Sequence, residues 1–390
     1  MTTMIGREPT PSRDAEARRG ASALTGRAAA QRQLLAAVDD LVAARVAQVG
    51  AMLAEVGGDA AAYGGHGLDL GGQLRRLTAV PGKRVRPLLA LAGHQAAGGG
   101  SARTTGRIAS SGHVVRLAAA LELLHLFALV HDDVMDRSAT RRGLETTHEL
   151  AARRHREGGA RGDAERFGDS VAILLGDLLL AEASNVVADL PRPVRHAWRR
   201  TVVELVHGQL LDVTATASRT PPDADASTLV ARLKTGRYTV RRPVELGALL
   251  VTEDARVLHA LATWGDLVGD AFGLRDDVLG VWGDPAVTGK PAFQDLADGT
   301  ATRVLAWAAE TLHGDDAALL HRCRAGGLDA ARSRVLAAAM DRAGVRDRAE
   351  AEIGRLLDAA GATLSGCESL DDHQRDRLDH LAVLLARRER

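Results

Sequence analysis

From Val114 to Val130 the chain is almost wholly apolar, broken only by Arg116, Glu122 and His125, and the run ends in His131-Asp132-Asp133-Val134-Met135-Asp136. So apolar a segment must be covered on nearly every side, and it is short of the ~20 residues that a bilayer span takes. A buried helix answers both demands. On such a helix Asp132 and Asp136, four apart, share one face. Like charges at that spacing repel by a few tenths of a kcal/mol when exposed, so the arrangement is best tolerated where cations come between them.

The rest of the sequence extends the helical reading. Leu34, Leu35, Val38, Leu41, Val42, Val46, Val49 and Leu53 recur at helical spacing before Gly57-Gly58-Asp59 breaks the pattern. Further helical stretches run from about Arg86 to Gln95, Gly112 to Arg137, Ser170 to Asp189, Arg195 to Ala217, Ala226 to Val251 and Asp254 to Val281. Five shorter ones follow between Thr302 and Arg388. Phe, Trp and Tyr make up only 3% of a chain that is 46% hydrophobic, so burial rests on Leu, Val and Ala, which suits packed helices. No hairpin signal and no fixed-period repeat stands out. The expected fold class is all-α, a helical bundle, with loops at Ala151 to Phe167 and Gly283 to Thr300. Residues 1–30, with scattered Arg, Glu, Pro and Ser and no apolar core, read as a disordered tail and not a secretory signal; residues 31–390 read as one domain.

Net charge is zero, with 50 basic and 50 acidic residues. No global field therefore draws nucleic acid or an anionic membrane, and any anion site must be local. Cys323 and Cys367 lack metal-ligand spacing and read as idle thiols, in keeping with a reducing cytoplasm.

A second acidic pair, Asp276-Asp277, closes the apolar run from Leu261 to Leu274. Either cluster alone reads equally well as a solvated helix end. Facing one another across a bundle cavity, they would suit Mg²⁺, which takes one or two carboxylates and completes its octahedron with water and phosphate oxygens. Basic motifs match them: Gly82-Lys83-Arg84-Val85-Arg86-Pro87, Arg141-Arg142-Gly143 and Lys234-Thr235. Arginine grips phosphate in bidentate fashion and lysine supplies a mobile point charge. Lys83, Lys234 and Lys290 are the only lysines beside 47 arginines, and each lies next to a candidate phosphate site.

Taken with Gly208-Gln209-Leu210-Leu211-Asp212, Lys234-Thr235-Gly236, Arg275-Asp276-Asp277, Gly283-Asp284-Pro285 and Thr288-Gly289-Lys290-Pro291, these motifs resemble the trans-isoprenyl diphosphate synthases in order and spacing from about residue 30 onward. The resemblance implies an isoprenoid-synthase-type bundle around a central cavity. It further implies a cytoplasmic homodimer without a stable membrane span, joining isopentenyl diphosphate to dimethylallyl, geranyl or farnesyl diphosphate. Asp132, Asp133, Asp136, Asp276 and Asp277 would hold three Mg²⁺ ions, and Arg141, Lys234 and Lys290 the allylic diphosphate, with Gln209 and Thr235 alongside. Lys83, Arg86, His125 and Arg142 would hold isopentenyl diphosphate. His125, seven residues before Asp132, points close to the same helix face.

In similar enzymes a residue five positions before the first aspartate sets product length. Here that is Phe127, with Ala128 beside it, and the compact first motif resembles geranylgeranyl (C20) synthases more than bacterial farnesyl synthases. A bare helical wheel sets Phe127 about 140 degrees from Asp132, so the floor role comes from the family, and a core role stays open. Gly273, Gly280 and Thr300 depart from the family pattern, where glutamine, aspartate and a basic residue are usual. Those departures keep a non-catalytic subunit that binds prenyl diphosphates as an alternative, beside farnesyl diphosphate synthesis. A terpene cyclase would have no use for Lys83, Arg86 and His125.

Overall fold

Short polar caps and long apolar faces divide this chain into helices joined by tight turns. The computed structural model describes residues 13–57, 69–79, 82–99, 112–141, 143–218, 222–285 and 292–387. Helices α1 (Arg13–Gly57), α2 (Leu70–Ala79) and α3 (Val85–His94) lead to α4 (Gly112–Met135). A two-stranded hairpin follows, β1 (Thr140–Arg141) and β2 (Leu144–Glu145), and then α5 (Thr147–Glu157), α6 (Ala164–Val187) and α7 (Arg192–Ala217). Helix α8 (Ala224–Ala231) runs through a π-helical stretch, Arg232–Arg241, into α9 (Arg242–Ala248), before α10 (Ala255–Trp282). The last third holds α11 (Gln294–Asp298), α12 (Arg303–Thr311), α13 (Gly314–Gly326), α14 (Ala330–Arg342), α15 (Val345–Ser365) and α16 (Asp372–Ala386).

The expected all-α bundle is the fold. Helix α4 is its axis: Leu117, Leu121 and Leu124 are fully buried and pack with Leu34, Val38 and Val42 of α1 and with Leu175 and Leu179 of α6. Each leucine so buried contributes about 1.5–3 kcal/mol. A second core joins α10 to α12 through α15 around Leu305, Leu336 and Ile353, and a third joins α3, α9, α10 and α16 around Trp264. Side chains of Asp163, Asp223, Asp254, Asp329 and Asp371 accept from backbone N–H groups at the starts of α6, α8, α10, α14 and α16, satisfying donors that a helix leaves unpaired.

Three local readings change. Helix α1 begins at Arg13, inside the stretch expected to be a tail; residues 1–12 lie outside the described residues. The Arg- and Gly-rich loop expected over 151–167 is mostly helix: α5 buries Leu150, Ala151, Ala152 and His155 on one side, a short apolar face hidden among arginines. A two-stranded hairpin, unannounced by the sequence, pairs Thr140–Arg141 with Leu144–Glu145, and Gly143 takes φ 74, a conformation open to glycine at little cost. Helices α4 and α6 are both long and apolar enough to cross a membrane; 72% of the apolar window of α4 is buried within the protein, against 44% for α6.

Candidate functional site

Three elements converge on the end of α4. The π-helical stretch widens the turn there, as such segments often do at functional sites, and glycines let it press close to its neighbours. A side chain at Gly208 of α7 would run into the backbone of Leu233 and Lys234, and one at Gly236 would reach the Gly269 backbone on α10 at 3.0 Å. These approaches carry Lys234 between α4 and α7. Its ammonium lies 3.1 Å from Asp132 and 2.5 Å from Asp212. Gln209 donates to Asp132 at 3.3 Å.

From the other side Arg141, on β1, bonds Asp133 at 2.7 Å through Nε and reaches Asp132 at 3.4 Å. Asp133 is buried and spent on this arginine, while Asp132 and Asp136 face Lys234 and Asp212. Asp136 keeps an exposed edge, yet partial desolvation among its neighbours and then the charge of Asp132 push its carboxyl up to about 6, against the pull of Lys234. Burial alone would lower the Lys234 ammonium, but Asp132 and Asp212 outweigh it and hold the pKa above its ordinary value. The pocket thus carries more negative charge than its cations neutralise.

Among the described residues no three His, Cys, Asp or Glu side chains are already gathered to hold a metal ion. The donor set nonetheless fits magnesium: hard carboxylate oxygens on Asp132, Asp136 and Asp212, under-neutralised and needing only one or two to bind while phosphate and water supply the rest.

One helix-face repeat earlier on α4, His125 Nδ1 lies 2.8 Å from the Tyr238 hydroxyl. Arg86 donates to the same hydroxyl and to Thr239 Oγ1, the latter at 2.8 Å, with its guanidinium 4.2 Å from the Tyr238 ring centre. Arg86 is 9% exposed, and its Nε has no partner within the protein. Lys83 is exposed and Thr235 half-buried. Arg86 and His125 therefore meet at Tyr238, four residues along the chain from Lys234. Arg142 and Lys290 lie outside the described residues.

The second acidic pair behaves unevenly. Asp276 is exposed and falls on the α10 face of Gly269 and Gly273. Asp277 turns inward, accepts from the Arg303 backbone N–H at 3.1 Å, and is raised well above the carboxylate range by burial and by Asp295. At Gly280 a Cβ would meet the Asp295 carboxylate, which comes in from α11 and would have to give way. An acid is thus supplied beside Asp277 from another element. At Gly273 an added Cβ would meet only Ala231, at 3.7 Å, so packing does not demand glycine there. Thr300 donates its N–H to the Asp295 carbonyl at 3.0 Å.

Phe127 is buried, with its ring edge-on to His131 at 4.7 Å between centres. His131 in turn bonds the Ile173 carbonyl on α6 and fills the space left by Gly176. Phe127 therefore belongs to the α6 side of α4, while Ala128, half-buried, falls between His125 and Asp132 on the other face.

Sequence reasoning passed over Tyr238, Thr239 and Asp295 and did not weigh Asp212 beyond its motif. For Tyr238 the available signal was its spacing from Lys234, readable only with the π-helical register, which no apolar periodicity announces.

The profile of the polyprenyl synthetase family matches residues 70–339. The chain is 33% identical over 248 residues to the geranylfarnesyl diphosphate synthase of Aeropyrum pernix, covering 61% of this chain and 70% of that one. It is 35% identical over 240 residues to the (2E,6E)-farnesyl diphosphate synthase of Mycobacterium bovis, covering 60% of this chain and 58% of the relative, less than two thirds of its length. A crystal structure of geranylgeranyl pyrophosphate synthase from Corynebacterium glutamicum, complexed with isoprenyl diphosphate and magnesium, superposes with a TM-score of 0.76. It is 33% identical, and the match covers 90% of this chain and 98% of that one.

Proposed function

The chain belongs to the polyprenyl synthetase family, and from that premise we propose that it is a magnesium-dependent trans-prenyltransferase joining isopentenyl diphosphate to an allylic diphosphate, with geranylgeranyl diphosphate as the product. The observation that carries this reading is the position of Lys234 between Asp132 and Asp212, with Asp136 pushed up beside them. That is a carboxylate cluster short of cations, a few residues along α4 from the separate Arg86, His125 and Tyr238 group. Two neighbouring polar centres, one cation-seeking and one cationic, suit two diphosphates held end to end.

In this reading Asp132, Asp136 and Asp276 hold magnesium, which when bound would neutralise the leaving diphosphate. Asp133 and Asp277, occupied by Arg141 and the Arg303 N–H, act from behind. Lys234 and Arg141 shift from carboxylate to phosphate oxygens and stabilise the charge that develops as the allylic C–O bond breaks. Lys83, Arg86, His125 and Arg142 hold isopentenyl diphosphate so that its double bond meets the allylic carbon, while Lys290 is assigned with Lys234 and Arg141 to the allylic diphosphate. The Leu, Val and Ala wall of α4 keeps water from the cationic centre. Product length is set on the α6 side, by Phe127 against His131.

Ile173 and Leu174 on α6 and Val203, Val206, Leu210 and Val213 on α7 are all more than 40% exposed. Adjacent exposed apolar faces of this kind mark an association surface, and they support a homodimer through α6 and α7. Both free cysteines are buried, which accords with the cytoplasm as its compartment.

The test is to incubate the purified protein with Mg²⁺, isopentenyl diphosphate and each of dimethylallyl, geranyl and farnesyl diphosphate, and to read products by mass spectrometry. A C20 diphosphate is expected. A shorter or longer product keeps the reaction and revises the length; no product from any pair, with diphosphate binding intact, overturns the synthase in favour of a binding subunit.

A further inference from the structure

Arg84 stands between two residues assigned to isopentenyl diphosphate, Lys83 and Arg86, yet its side chain is taken up by carboxylates. The guanidinium bonds Glu122 of α4 and lies 2.6 Å from Asp39 of α1. Side-chain exposure is 14% for Arg84 and 4% for Glu122, so the pair is nearly closed to water, where a charge is retained only when partnered. Asp39, at 49%, sits at the rim.

The backbone at the same residue is unusual. Arg84 takes φ 51 and ψ 34 at the start of α3, and no side-chain hydrogen bond caps that helix. A residue with a Cβ enters the left-handed region only where something holds it there. Here the holding group is its own side chain, clamped by carboxylates from two helices. A planar fork can meet both at once, which a lysine ammonium does far less well. The turn separates its neighbours: Lys83 is left exposed ahead of it, and Arg86, two residues on, is buried against Tyr238 and Thr239. Glu122 lies one helical turn from His125 on α4, so the clamp and the third expected ligand share a rigid support.

We propose that Arg84 is a positioning residue for the isopentenyl diphosphate subsite: clamped by Glu122 and Asp39, it fixes the left-handed turn that aims Lys83 and Arg86, and it makes α1 part of that subsite. The inference rests on the synthase reading above. It separates Arg84 from its two basic neighbours, giving it no contact with substrate.

Removing Arg84 alone strands a buried carboxylate and invites misfolding, so the decisive variant is the pair Arg84→Gln with Glu122→Gln, which leaves no unpaired buried charge. Asp39→Asn loosens the clamp from its exposed end. The double variant should raise the KM for isopentenyl diphosphate roughly 10- to 100-fold, by analogy with the cost of losing a group that orients a metal ligand. The KM for the allylic diphosphate and kcat should stay within about twofold, since the Lys234 cluster is untouched. Asp39→Asn should move the same constant in the same direction by less. Amide hydrogen exchange on the free protein should quicken in both variants at residues 82–88 and around Asp39. An unchanged KM for isopentenyl diphosphate in a folded double variant, or equal losses for both substrates, overturns the clamp and leaves the synthase reading standing. A wild-type protein that neither turns over nor binds isopentenyl diphosphate overturns both.

Discussion

The Lys234 ammonium lies 3.1 Å from Asp132, so the protein's own cation is seated on the acid that a divalent ion would share. Lys234→Ala removes the charge that keeps Asp132, Asp136 and Asp212 from repelling one another. In chelator the variant should melt below the wild type, and magnesium should raise its melting temperature by more than it raises the wild type's, because the ion takes over the lost neutralisation. Turnover should fall by about 10²–10³, as for loss of a donor aimed at developing charge. Asp132→Asn should abolish magnesium-dependent turnover and remove the magnesium-induced shift. Equal magnesium shifts in all three proteins would take this cluster out of metal binding.

Tyr238 ties Arg86 to His125 through one hydroxyl. Tyr238→Phe keeps the ring under the Arg86 guanidinium and deletes only that link, leaving buried polar groups unpaired at a cost of about 1–3 kcal/mol. Isopentenyl diphosphate should bind roughly 5- to 100-fold more weakly, with allylic diphosphate affinity little altered, as measured by calorimetry. Equal weakening of both ligands would mean that the tyrosine serves the general packing instead.

What the sequence disclosed, and what it withheld, divides along physical lines. Helix α4 and its acids were legible because a nearly continuous apolar run permits little besides a buried helix, and because the four-residue spacing of Asp132 and Asp136 needs only helical geometry. The face carrying His125 was legible for the same reason. Helix α5 escaped because its buried face is short and lies among Arg153, Arg154 and Arg156. The meeting of Tyr238 with Arg86 and His125 depends on a π-helical register and on tertiary approach at Gly208 and Gly236, neither of which a 3.6-residue period encodes. Gly280 read as a loss, since the carboxylate that fills its place, Asp295, is distant in sequence and arrives only with the fold.

Acid should test the scaffold through Glu204. Burial would raise its carboxyl, but the hydrogen bonds and charge of Arg242, with Arg237 and Arg241 nearby, outweigh it and hold the pKa below 4.5. A depressed folded-state pKa contributes stability that is fully present above about 4.5 and is lost as pH falls through the lower, folded value. Glu204→Gln should therefore flatten the decline of stability below pH 4.5. At neutral pH it should cost about 3 kcal/mol, because Arg242, 2% exposed, loses a buried partner. Urea melts from pH 7 downward measure both, and an unchanged acid slope would assign the acid sensitivity to other carboxylates.

Phe127 contacts His131 edge-on within the wall between α4 and α6. On the proposed chain-length role, Phe127→Ala should shift the product distribution above C20 in the mass spectrum. The cavity should also lower stability by about 3–5 kcal/mol. A destabilised variant with an unaltered product profile would make Phe127 core alone.

Restoring an aspartate at Gly280 looks, on the family pattern, like repairing the second acidic cluster. The structure predicts the reverse. A Cβ at 280 runs into the Asp295 carboxylate, and Asp277 is already pushed up by burial and by Asp295, so a further carboxylate adds both a clash and a like charge. Gly280→Asp should express poorly or melt well below the wild type, with lower turnover at any magnesium concentration. Gly280→Asp combined with Asp295→Ala removes the clash and keeps the number of acids, so it should recover much of the lost stability, an interaction of about 0.5–3 kcal/mol between the two sites. Thermal melts of the four proteins in the cycle decide it. Additive losses would mean that Asp295 does not take the place of a side chain at 280, whereas recovery in the pair would identify Asp295 as the acid that glycine admits.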